Sequence, residues 1–157
     1  MLEVFEIILE TVLFLGLFYF AWADYKTKLL RVKCLLLFGC VGIILRMLPE
    51  TLFMEGNSIT WQWDMKVLWQ IIAGMLVGVI LLVIALISRE SIGAGDGLLF
   101  IATGAFLNWE QNLALLFGGL LLIGSYSVVC LLLKKKEKND RVALIPFVLI
   151  AYVVFVL

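Results

Sequence analysis

Two aspartates carry the chemistry that this sequence offers. Asp96 stands within Ser91-Ile92-Gly93-Ala94-Gly95-Asp96-Gly97-Leu98-Leu99-Phe100, where two apolar stretches meet around one carboxylate flanked by glycines. An ionisable group set against an apolar segment is expensive and asks for a use. The plainer role is that of an N-cap in a polar loop between two membrane helices. Asp24 stands at the far end of the first apolar run. Two carboxylates at one depth on different helices suit general acid–base hydrolysis. One takes a proton from water while the other, still protonated, donates toward the scissile carbonyl. Close approach enforces this division, because carboxylates about 3 Å apart do not both ionise and the pair titrates as a unit. Spacing alone also allows two boundary aspartates that cap separate helices and never meet.

Other chemistries are narrowed by composition. The chain has no histidine, which removes Ser-His and Cys-His catalysis and any His-ligated metal site. Cys34, Cys40 and Cys130 are far apart, in apolar surroundings and without a C-x-x-C spacing, so packing is their expected role. No metal and no cofactor is expected. Glu10 lies inside the first apolar run, where an interfacial or neutral, hydrogen-bonded acid is expected rather than a functional one.

The elements that must position the two acids are membrane helices. The chain of 157 residues is 64% hydrophobic and only 15% charged, against about 25% charged in ordinary globular chains. Its mean hydropathy is +1.15. The excess falls in long uncharged runs, which predicts an all-α polytopic membrane protein with six transmembrane helices in one domain over 1–157. Formal charge is zero and charges segregate by loop, so no nucleic-acid partner is implied; the lipid bilayer is the surrounding partner.

Helix 1 is expected over Val4–Ala23, a retained span with no basic n-region or cleavage site, ending at Asp24. Helix 2 is expected over about Cys34–Leu48, with Pro49 opening a loop whose Trp61 and Trp63 have the look of interfacial anchors. Helix 3 covers Lys66–Ile87, with Gly74 and Gly78 forming a small-xxx-small face. Counted from Gly97 to Leu107, helix 4 has 11 residues and about 16 Å, too short to cross. It is therefore expected to start upstream, near Ser91, with Asp96 about a turn inside it. Asn108 to Gln111 read as a turn, helix 5 as Asn112–Leu133, and helix 6 as Val142–Leu157 with Pro146 in its first turn. Of 12 Lys and Arg, all but Arg46 and Lys66 fall after helices 1, 3 and 5. The positive-inside rule then places those loops in the cytoplasm, both termini outside, and Asp24 and Asp96 on the cytoplasmic side. The basic run 134–141 is read as a topology determinant.

Gly93-Ala94-Gly95-Asp96-Gly97-Leu98-Leu99, continuing through Gly104-Ala105-Phe106-Leu107, resembles the G-x-G-D block of the type IV prepilin peptidases, polytopic aspartyl proteases of prokaryotic inner membranes. Asp24-Tyr25-Lys26-Thr27-Lys28 is similar to the family's first-aspartate segment, and Ile145-Pro146-Phe147 to its C-terminal Pro-Phe element. The resemblance implies catalytic roles for Asp24 and Asp96, motif-backbone roles for Gly93 and Gly95, and a pilin-like or pseudopilin precursor as substrate. Its apolar helix would dock laterally, with its basic leader left in the cytosol.

The chain departs from the family pattern in three places. Leu30-Arg31-Val32 stands where an Ile-Pro-Asn-like triplet is usual, and Leu98 replaces a lysine common two positions after the second aspartate. The paired C-x-x-C domain associated with methylation has no counterpart, so a short, peptidase-only form is expected. Three alternatives remain open at this level. The first is a G-x-G-D protease with other membrane substrates, which nothing in the sequence separates from a prepilin peptidase; the second, of a different class, is a small transporter or channel subunit relaying cations through Asp24, Asp96 and Glu10. The third is an inactive scaffold.

Overall fold

In a computed structural model, the chain is described over residues 2–27, 32–52, 65–88, 93–133 and 144–155. These residues form six helices: α1 Leu2–Thr27, α2 Val32–Leu52, α3 Met65–Ile87, α4 Ala94–Gly104, α5 Trp109–Leu132 and α6 Ile145–Phe155. The all-helical expectation holds. Three stretches, Glu6–Asp24 of α1, Met65–Ile87 of α3 and Trp109–Cys130 of α5, are long and apolar enough to cross a membrane. Most of their residues point outward, so an apolar surface girdles the bundle, as a membrane protein requires.

Packing order differs from chain order. α1 lies against α2, α2 against α4, α4 against α3, α3 against α5, α5 against α6, and α6 returns to α1. Leu13 and Leu17 of α1, Leu99 and Phe100 of α4, and Val148 and Tyr152 of α6 are fully buried inside this ring.

The contact between α3 and α4 is made backbone to backbone. A Cβ on Gly78 would lie 2.1 Å from the Ile101 nitrogen, and one on Gly104 would lie 2.3 Å from the Gly74 oxygen. Gly97 meets the Leu82 backbone in the same way, at 2.8 Å from its Cα. The small-residue face expected at Gly74 and Gly78 is therefore the seat of α4. On the other side, rings fill notches. The Phe38 ring occupies the space over Gly16, and the Phe106 ring that over Gly42. Phe38 joins α1 to α4 through an edge contact with Phe20 at 5.4 Å and a stack with Phe106 at 4.6 Å.

Several boundaries move. α1 runs on to Thr27, so Asp24 lies in its last turn and does not close it. α2 continues through Pro49 to Leu52; a proline this near a helix end removes one ladder bond without ending the helix. α4 begins at Ala94 rather than near Ser91, because Gly93 is extended (φ −66°, ψ 124°) and already acts as the N-cap. α5 starts at Trp109, not Asn112. Asn108 caps it, its backbone N–H donating to Oε1 of Gln111 at 3.2 Å while its carbonyl accepts the Asn112 N–H. Pro146 does sit in the first turn of α6. Cys34 packs against the core, whereas Cys40 is exposed on the outer face of α2. Trp61, Trp63 and the basic run 134–141 lie outside the described residues.

Candidate active site

Asp96 is the third residue of α4. Its backbone N–H donates to the Gly93 carbonyl at 3.0 Å, which winds the first turn. Its carboxyl folds back over the same glycine, since a Cβ on Gly93 would come within 3.1 Å of Asp96 Oδ2. A methyl on Gly93 would thus crowd the carboxyl by a few tenths of an ångström, while the Gly93 backbone itself is ordinary. Gly95 is half-buried in the same turn.

The Asp96 carboxyl is half-buried at the N-terminal end of α4, ahead of the apolar stretch beginning at Leu98. The open N–H groups of a helix N-terminus favour a carboxylate there, by at most about 1 kcal/mol at an exposed site.

Asp24 comes from α1. It is half-buried one turn after Phe20, whose ring meets Phe38 edge-on. The bundle thus brings the two acids, 72 residues apart in the chain, close enough for one to act on the other. Glu10 is not part of this pair. It lies fourteen residues back along α1, about 21 Å at 1.5 Å per residue. Its carbonyl accepts the Tyr152 hydroxyl at 3.2 Å. Leu98, at the position of the family's lysine, is half-buried against the apolar core. Leu30 and Arg31 lie outside the described residues.

The opposite end of α4 carries a separate polar joint. Arg46 of α2 donates to the Phe106 carbonyl at 3.2 Å, to Oε1 of Gln70 at 3.3 Å, and to Oδ1 of Asn108. These partners explain a cation that breaks the basic-loop pattern: it closes the turn after α4. Sequence reasoning also passed over Asn112 and Thr103, both fully buried. Their polarity within apolar runs was the available signal. Among the described residues, no group of three or more His, Cys, Asp or Glu gathers as a metal site.

The sequence model of the type IV leader peptidase family matches residues 11–128. That stretch includes Asp24, Gly93, Gly95 and Asp96, and stops before the Pro146-Phe147 pair. No curated protein and no solved structure matches the chain.

Proposed function

Since the chain belongs to the type IV leader peptidase family, we propose that it is a membrane aspartyl endopeptidase that removes the short basic leader from type IV pilin-like or pseudopilin precursors. Asp24 and Asp96 are its catalytic pair. The observation that carries this reading is that two acids from separate helices lie within electrostatic reach of one another. In the reaction, ionised Asp24 takes a proton from a water lying between the two groups. That water attacks the scissile carbonyl while protonated Asp96 donates to its oxygen, with no covalent intermediate.

The bundle sits in a prokaryotic plasma membrane in six passes, with both termini outside and the loops after α1, α3 and α5 in the cytoplasm. α4 has only 11 residues, but protein surrounds it, and backbone enclosed by protein does not need the length of a lipid-exposed span. The aspartates then face the cytoplasm, where a precursor's basic leader lies while its apolar helix remains in the bilayer.

The test is cleavage of a pilin-like precursor by the full chain in liposomes. Asp24→Asn and Asp96→Asn each abolish processing while the protein still accumulates, and Glu10→Gln is tolerated. Processing by either Asn variant rules out the pair. A transporter would instead lose function with Glu10→Gln as well. The pH profile is a second check. Asp96 must be protonated to donate, so the rate declines about tenfold per pH unit once that carboxyl ionises. It also declines at low pH, as the partner carboxylate takes up a proton. A rate that climbs steadily into alkali points to another nucleophile.

A further inference from the structure

Asn112 is fully buried in the first turn of α5. Its amide nitrogen donates to the Gly74 carbonyl of α3 at 2.9 Å and to the Phe100 carbonyl of α4 at 3.0 Å. Its Oδ1 accepts the hydroxyl of Thr103, also on α4, at 2.8 Å. Both amide hydrogens and the acceptor are used, and three helices meet at one side chain. Phe100 follows Asp96 by one helical turn and lies on the same face of α4.

The glycine contacts between α3 and α4 limit how closely these helices approach. A smooth backbone-to-backbone face does not by itself stop α4 from sliding along its axis or turning about it. Directional hydrogen bonds do. We propose that Asn112 is a positioning residue: by tying the Phe100 carbonyl and Thr103 to α3, it fixes the register of α4 and so the placement of Asp96 opposite Asp24. This rests on the proposed catalytic pair. A displacement of about 1 Å at reacting groups costs up to about 100-fold in rate, so a small slip of α4 is enough to matter.

The experiment uses the full chain in liposomes with a synthetic precursor carrying a basic leader and an apolar helix. Asn112→Leu removes all three bonds at similar volume, Thr103→Val removes one, and Thr103→Ser keeps the hydroxyl. Per folded enzyme, kcat falls about 100-fold for Asn112→Leu and about tenfold for Thr103→Val. KM stays within about twofold, and Thr103→Ser works at about the wild-type rate. A purely structural Asn112 gives a lower melting temperature with wild-type kcat, and that result overturns the proposal. If Asn112→Leu fails to accumulate, Thr103→Val decides by the same criterion.

A geometric readout separates this inference from the reading of function. Spin labels at Asp24→Cys and Asp96→Cys, with Cys34, Cys40 and Cys130 replaced by Ala, report their coupling through dipolar broadening. Thr103→Val and Asn112→Leu weaken that coupling; unchanged coupling overturns the proposal. A wild-type chain that does not cleave the precursor defeats the catalytic reading alone, and the labels still decide the register.

Discussion

The two aspartates are held by seats of different construction. Asp96 rides on α4, which is pressed backbone to backbone on α3 through Gly74, Gly78, Gly97 and Gly104 and stitched at Asn112. Asp24 rides on the last turn of α1, which reaches its neighbours through side chains: Phe20 and Gly16 against Phe38, and Phe14 stacked on Tyr152. Trp22, two residues before Asp24, is 67% exposed, and with Phe18, Pro146 and Leu149 it borders a shallow apolar groove between α1 and α6. Backbone contacts cannot yield without moving a helix, whereas a ring in a notch can turn aside. Asp96 is thus on the stiffer seat, and its half-buried position depends on α4 staying where it is.

Substituting glycines at the two seats probes this difference, beginning with the severest case. Gly78→Ala places a methyl on the Ile101 backbone and forces α3 and α4 apart, at a cost of about 3 kcal/mol. In thermal unfolding it behaves as a major defect, and any folded fraction cleaves precursor far more slowly because α4, and Asp96 with it, is displaced. A mild effect here means that the glycine face is not what seats α4.

Gly16→Ala meets only the tip of the Phe38 ring. The ring swings away, so the loss is about 1 kcal/mol, and the pH profile of cleavage stays in place. A loss as large as that of Gly78→Ala would erase the contrast between the seats. Smallest of all is Gly124→Ala, where nothing lies within 4 Å of the added methyl. Helix propensity then favours alanine by up to about 1 kcal/mol, and thermal unfolding shows a neutral or slightly stabilised protein.

Much of the candidate site was readable because its signals are local. A carboxylate against an apolar run is conspicuous wherever it folds, and the glycines beside Asp96 mark a place where another backbone can approach. The bounds of α3 were readable for the same reason, its span being a single uncharged run. Helix ends were less so. α1 outruns Asp24 by three residues and α2 passes through Pro49, because a helix continues while its backbone bonds and tertiary contacts favour it. Asn112 was read as the first residue of a helix, since its partners, Gly74 and Phe100, are 38 and 12 residues away.

The sequence by itself determined that the chain is helical and apolar, that it offers no histidine, and that Asp24 and Asp96 are acids set against apolar helix ends. Each of these follows from residue type and short-range order, which solvation and local backbone preferences act on directly. Only the tertiary structure decided that α4 lies between α2 and α3, that Asp24 and Asp96 come within electrostatic reach of one another, and that a buried amide ties three helices together. Those depend on which surfaces meet across dozens of residues. Close packing and electrostatic interaction both act through space, and distance in space is not written in the order of the residues.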